Sequence, residues 1–364
     1  MYQFCPHGVE YWSLEDCCQI LDNKRKPITK ALREAGEYPY YGANGIQDYV
    51  SEYIFDGVFV LVGEDGSVIT PSGSPVVTWA EGKIWVNNHA HIVKEKDGVL
   101  LRYLYHYLQT VDVSTLIHGN IPKLTGGDFR AIKIPVPPVE IQREIVRILD
   151  NFTELSAELS AELSARKKQY KYYREYLLSF KYNNAVQWVK LEEIADIGTG
   201  SSNTNEGLDE GLYPFYVRSQ EPLRKNAYEY DETAIITAGD GVGVGKVFHY
   251  AEGKYALHQR AYRIHINTSD VLPRYYFHYM KAAFLPYIQN TLFHGSVASI
   301  RRPMLNAFPV PVPSLEEQKR IVSILDRFDA LCNDISAGLP AEIEARQKQY
   351  EYYRDKLLTF KEIC

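Results

Sequence analysis

Apolar positions between residues 139 and 181 recur in steps of four and three. Ile141, Ile145, Ile148, Phe152, Leu155 and Leu159 mark the first stretch, and Tyr170, Tyr173, Leu177 and Phe180 continue it. That spacing predicts an α-helix with a seam of coiled-coil type. Helical throughout, the segment would run about 64 Å. A lone helix of that length leaves its seam in water, so it needs a partner. The C-terminal region offers one: Ile321, Ile324, Phe328, Leu331 and Ile335, then Ile343, Tyr350, Tyr353, Leu357 and Phe360. Gly338 and Pro340 interrupt this second seam, and Pro340 suits the first position of a new helix. The first copy instead reads ELSAELSAELSA over 154–165. Leu at every fourth position drifts around a helix, which marks a spacer tolerant of changes in length.

The rest of the chain has strand character. GVFVLVGEDGSVIT and TAIITAGDGVGVGKVF each give a β-branched run followed by a turn at Asp-Gly. KIWVNNHAHIV and KYALHQRAYRIHI read as later strands, and RYLYHYL and RYYFHYM as short helices.

These pieces occur twice. Residues 134–152, IPVPPVEIQREIVRILDNF, match 310–328, VPVPSLEEQKRIVSILDRF. Residues 165–181 and 345–361 are identical at twelve of seventeen positions. LLRYLYHYL resembles LPRYYFHYM, and YPYYGANG resembles YPFYVRSQ. His-Gly recurs at His118 and His294. Each half therefore consists of a variable globular part, a Pro-rich elbow that fixes the entry of the chain, and a helix.

The duplicated elbow, the paired RKKQYKYYREYLLSF and RQKQYEYYRDKLLTF, and the two variable regions before them make the chain resemble the specificity subunit of a type I restriction-modification system. The resemblance covers nearly the whole chain. It implies an α+β fold with two similar mixed α/β target-recognition domains, separated by two long antiparallel, coiled-coil-like helices in a pseudo-twofold repeat. The corresponding boundaries are 1–138, 139–181, 182–313 and 314–364. It implies double-stranded DNA as a partner, each variable region reading one half of a split, asymmetric site. It also implies docking of two methyltransferase subunits, which methylate adenine N6 with S-adenosylmethionine, and of restriction subunits that use ATP and Mg. The chain itself then holds no cofactor, no metal and no catalytic residue.

The residues agree on the absence of chemistry. An adenine methyltransferase holds its flipped base with an Asn/Asp-Pro-Pro-aromatic loop, whereas the one Pro-Pro here lies between Val136 and Val139. GDGVGVGK at 239–246 lacks the first glycine of a phosphate loop, where Asp240 stands, and Val247 replaces the magnesium-binding Ser/Thr. There is no compact Asp/Glu/Lys cluster of a nuclease. A repeated chain also suggests two similar elements presented to two grooves about 34 Å apart. One ELSA unit would add about 6 Å and turn the downstream domain by about 40°.

Base readout favours Arg or Lys for guanine and Asn or Gln for adenine, and phosphates take Lys, Arg, Ser, Thr and backbone N–H groups. Candidates in the first half are Lys24, Arg25, Lys26, Asn44, Asn87, Asn88, His89, His91, His118, Asn120 and Lys123. In the second they are Ser201, Ser202, Asn203, Arg218, Ser219, Gln220, Lys246, His258, Gln259, Arg260, His294, Ser296, Arg301 and Arg302. His89 aligns with Arg260 when Ala90 is set on Ala261. Each has a plainer reading. Residues 24–26 can be a solvated charge cluster. One of His89 and His91 is expected to be packed or capped inside. Tyr103, Tyr107, Tyr275 and Tyr279 fall at helical spacing and read as core. Tyr40, Tyr41 and Tyr216 sit by turns, facing DNA or packed. Lys167, Lys168, Arg174 and Arg354 are solvated charges or contacts to partner subunits.

Composition adds limits. Apolar residues make up 45%, enough for a core in each half. The net charge of −6 argues against a surface that binds nucleic acid everywhere, but not against a local basic face. No apolar run spans a membrane, no secretory signal is visible, and five cysteines without CxxC spacing read as reduced thiols of a cytoplasmic protein. Two rival functions remain: a coiled-coil adaptor with no DNA role, and a fused methyltransferase or nuclease. A variant of the main reading is an orphan specificity chain serving methylation only.

Overall fold

A computed structural model describes residues 5, 7–66, 68–180, 186–291 and 299–363. Among them, five helices reach eight residues or more: α1 Leu101–Leu108, α2 Val139–Leu177, α3 Pro273–Thr291, α4 Leu315–Asn333 and α5 Leu339–Leu358. The chain divides into two compact units. Unit 1 is Met1–Leu159 with Ile343–Cys364, and unit 2 is Ser160–Glu342. The first part of α2 belongs to unit 1 and the remainder to unit 2.

Unit 1 is built on a six-stranded sheet in the order Cys18–Ile20, Ala90–Glu95, Phe55–Gly63, Val77–Val86, Ala35–Gly42, Gly45–Val50. Unit 2 carries the same plan as two four-stranded sheets. One holds Ala195–Thr199, Ala261–Ile266, Ala234–Ala238 and Phe248–Ala251. The other holds Leu223–Lys225, Tyr213–Tyr216, Lys254–Leu257 and Tyr230–Asp231. The long Val77–Val86 strand thus corresponds to Phe248–Ala251 plus Lys254–Leu257. The sequence AEGK stands at the bend in both, with Gly82 at φ 77° and Gly253 at φ 76°. Glycine takes that left-handed conformation without Cβ strain. Beyond the bend each unit forms a parallel pairing: Tyr40 and Tyr41 with Trp85 and Val86, and Phe215 and Tyr216 with Ala256 and Leu257.

The elbows are braced identically. In unit 1, Glu10–Ser13 pairs with Lys133–Val136; in unit 2, Gln187–Lys190 pairs with Pro309–Val312. Gln142 is fully buried. Its amide accepts from Leu100 N–H (2.9 Å) and donates to Gly98 O (3.0 Å) and Pro137 O (2.8 Å). Gln318 does the same with Leu272 N–H (2.8 Å), Asp270 O (2.7 Å) and Pro313 O (2.9 Å). Arg102 Nε and the buried His106 Nε2 both donate to Asp150 at 2.8 Å. Arg274 (2.9 Å) and the buried His278 (2.7 Å) meet Asp326 in the same way. Tyr103 and Tyr275 are buried as expected, and their hydroxyls donate to Pro135 O (2.9 Å) and Pro311 O (3.0 Å). Tyr107 and Tyr279 reach Lys133 O (3.3 Å) and Pro309 O (3.0 Å).

Each unit also pairs its helices through aromatic contacts. In unit 1, Phe152 of α2 stacks on Tyr353 of α5 with centroids 5.6 Å apart. In unit 2, Tyr170 and Tyr173 of α2 stack on Phe328 of α4 at 5.9 and 5.6 Å. Further along α4, Cys332 is buried near Lys167, so the two helices run antiparallel. Arg174 and Arg354 lie over the rings of Tyr170 and Tyr350, at 5.5 and 5.7 Å.

The helices differ from the expected ones in three details. Leu149, not Ile148, is the fully buried position, together with Gln142 and Ile145. This stripe faces the globular part of unit 1, while Phe152 faces α5, so the apolar face is wider than a two-position seam. In α4, Cys332 is buried while Leu331 is 38% and Ile335 80% exposed, because the helix ends at Asn333. The helix containing RYYFHYM runs nineteen residues and includes Pro286, so it is not short. Lys181 and Cys364 lie outside the described residues.

Candidate nucleic-acid interface

The turn that follows the parallel strand pairing is the same object in both units. In unit 1 it is Asn87-Asn88-His89. Asn87 N–H donates to Tyr41 O (3.0 Å), and its buried side-chain oxygen accepts from His89 N–H (2.8 Å). In unit 2 it is His258-Gln259-Arg260. His258 N–H donates to Tyr216 O (2.9 Å), and its buried Nδ1 accepts from Arg260 N–H (3.0 Å). A side-chain acceptor two residues back closes a tight turn in each case, leaving the third residue pointing outward. The alignment of His89 with Arg260 is therefore a structural equivalence.

A second loop meets this turn. Glu64 N–H donates to His89 O, and Gly239 N–H donates to Arg260 O, both at 2.9 Å. That contact brings the acid of each Asp-Gly pair beside the outward residue. Asp65 is hydrogen-bonded to His89 Nδ1. Asp240 accepts from Arg260 at 3.1 Å and from Arg218 at 2.7 Å. Burial pushes the Asp240 carboxyl upward, but the Arg218 and Arg260 guanidiniums outweigh it and hold the group below the usual carboxylate range. Burial, with Arg218 close by, pushes the His258 imidazole below its ordinary range. It stays neutral, as its acceptor role at Nδ1 requires.

Around these turns lie two open pockets. The unit 1 pocket, about 390 Å³, is lined by Asn44, Gln47, Asp65, His89 and Ile121 among others. The unit 2 pocket, about 340 Å³, is lined by Asn203, Thr204, Asn205, Arg218, Gln259 and Arg260, with His258 beneath. Gln259 is hydrogen-bonded to Asn203. The first pocket is amide-rich and holds the Asp65 carboxylate, whereas the second holds two guanidiniums against the Asp240 carboxylate.

Not all expected contacts survive. His91 is fully buried: it bonds to Asp22 (2.7 Å) and Leu124 O (3.0 Å) and stacks on Phe129 at 4.2 Å. Arg25 turns inward to Glu64 (2.5 Å) and Ala90 O (2.7 Å), so the basic cluster is split. Asn87 and His258 support their turns from below. Ser202 is buried between Glu229 (2.5 Å) and Lys225 (2.7 Å). Arg25, Asn87, His91 and Ser202 are tied to internal partners and present no free group to a duplex, while His258 still lines the floor of its pocket. Tyr40 and Tyr41 are also buried, and Tyr216 is partly so.

Lys24, Lys26, Asn88, His118, Asn120, Ser201, Ser219, Gln220, Lys246, Arg301 and Arg302 are exposed but line neither pocket. Lys123 pairs with Glu64 at 3.1 Å. His294 and Ser296 lie outside the described residues.

Asp65 and Asp240 were missing from the sequence-derived candidates, although the Asp-Gly pair in each half was visible. Asp22, Glu64 and His91 bring possible metal ligands within 4.8 Å of one another. Arg25 and Lys123 already supply the positive charge there.

A family model for the type I restriction modification DNA specificity domain matches the chain twice, over residues 6–166 and 183–345. A Haemophilus influenzae protein described as a type I restriction enzyme specificity subunit is 37% identical, over 97% of this chain and 96% of its own length. The Escherichia coli EcoR124I/EcoR124II specificity subunit is 39% identical, over 73% of this chain and 72% of its own. The crystal structure of the type I restriction-modification S subunit from M. genitalium has a TM-score of 0.67, at 16% identity and 96% coverage of both chains. A likeness at that identity concerns the fold.

Proposed function

The chain belongs to the type I restriction-modification DNA specificity family, and on that premise we propose how its two units divide the work of reading DNA. It is the DNA-recognition subunit of such a system, and it assembles with other subunits of the system. The observation that carries the division of work is the duplicated turn, with one backbone frame and unlike side chains at its tip. Residues 1–138 and 182–313 each read one half of a bipartite, asymmetric site. The helical regions 139–181 and 314–364 set the gap between the half-sites and dock two methyltransferase subunits. Those subunits bring S-adenosylmethionine and methylate adenine N6. Restriction subunits bring ATP and Mg, or are absent if the chain serves methylation alone. This chain contributes no catalytic group and works in the cytoplasm. Among the described residues no helix is long and apolar enough to cross a membrane. The similarity over the whole chain disfavours a DNA-free adaptor.

The test is to co-express the chain with its methyltransferase partner and map methylated adenines across a genome. The expected product is one asymmetric motif in two parts. Adding or deleting one ELSA unit within 154–165 should change the unread gap by about one base pair and leave both halves alone. An unchanged gap, or altered half-sites, refutes the spacer role.

A further inference from the structure

We propose that Arg260 reads a guanine in the half-site of unit 2, positioned by Asp240, and that unit 1 reads no guanine at the corresponding place. The inference rests on the DNA-reading function above and names the residue that sets specificity within it.

Arg260 occupies the outward position of its turn, and its side chain is 62% exposed. One terminal nitrogen is held by Asp240 at 3.1 Å. Among the described residues, no hydrogen bond ties its Nε or other Nη. The free edge is therefore a two-donor fork of fixed direction. Such a fork matches either the O6 and N7 acceptors of guanine or the oxygens of a phosphate. Asp240 decides between them. It is held ionised by two arginines, and its carboxylate lies in contact with the guanidinium. An anion arriving at the free edge meets that negative charge, whereas the uncharged edge of a base does not. Asp240 also costs the pocket one of its two positive charges, which weakens it as a phosphate site and stiffens it as a reader. Arg218, only 39% exposed, clamps Asp240 from the other side.

In unit 1 the same two places hold His89 and Asp65. His89 uses Nδ1 on Asp65 and keeps one ring nitrogen. One atom cannot supply two parallel donors. The other polar side chains lining that pocket, Asn44 and Gln47, are amides suited to adenine.

The experiment maps methylation by the complete complex carrying the wild-type chain, Arg260→Gln, Arg260→Lys or His89→Arg, with thermal melting of each chain as a folding control. The wild-type motif should contain a guanine in one half that Arg260→Gln makes degenerate. Preference at that position should fall about ten- to a hundredfold, the value of one bidentate pair. Arg260→Lys, a point charge in place of a fork, should relax the same position. His89→Arg should add a preference for guanine in the other half. A uniform loss of methylation with an unchanged motif assigns Arg260 to a phosphate and overturns the inference, as does a motif that no variant alters. A wild-type complex with no fixed bipartite motif refutes the DNA reading itself, which is a separate failure.

Discussion

Units 1 and 2 agree where they are hidden and differ where they are open. The buried glutamine at the elbow, the Arg-His-Asp brace, the tyrosine hydroxyls on proline and lysine carbonyls, and the bend glycine recur nearly atom for atom. At the tip of the turn, His89 faces Asp65 and Arg260 faces Asp240. Polar groups under cover must keep their partners, so they hold one arrangement twice. Groups facing solvent carry no such obligation and are free to set the half-site.

If that contrast is right, Gln142→Leu and Gln318→Leu should be the most damaging changes and should cost alike. Each strands a backbone N–H and two carbonyls, so the loss should be roughly 3 kcal/mol in either unit, measured by urea unfolding. A large difference between the two variants would break the equivalence of the elbows. Next come Phe152→Ala and Phe328→Ala. Each removes a half-buried ring from a helix pair and should cost about 2 kcal/mol, below the 3–5 of a fully buried phenylalanine. Unequal losses would show that one helix pair carries more of the stability. The smallest effect should be on pH dependence. Burial holds His106 and His278 below the ordinary value of 6.5, even though Asp150 and Asp326 oppose it. The unfolded chain then binds protons that the folded one refuses. Stability should be unaffected above pH 6.5 and should decline as pH falls below it. Half-buried His249 and buried His258 act in the same sense. His106→Gln with His278→Gln should flatten the fall in melting temperature between pH 7 and 5.5, and a slope unchanged by the double variant would contradict the assignment.

The helices and the duplicated plan were legible because long apolar periodicity and matched segments survive without knowledge of contacts. The face of the helix was harder. Ile148 and Leu149 are adjacent and equally apolar, and only the presence of two packing surfaces selects Leu149. The polar candidates divided for a similar reason. His89 ends a turn and His91 lies two places on in the following strand, so one faces out and one in, but the phase depends on Phe129 and Asp22, which are distant in sequence. Asp65 and Asp240 are not legible as site residues because their partners lie 24 and 20 residues away. AEGK stands twice in the chain, but only the strand pairing shows it as a bend.

Leu358, Tyr350 and Phe360 help close the core of unit 1, and Val9 N–H donates to Lys361 O at 2.8 Å. The ribosome makes these residues only after those of unit 2. The unit whose strands emerge first must therefore wait for translation to pass through the whole of its neighbour before its own interior is sealed. Order of synthesis and order of completion run opposite ways.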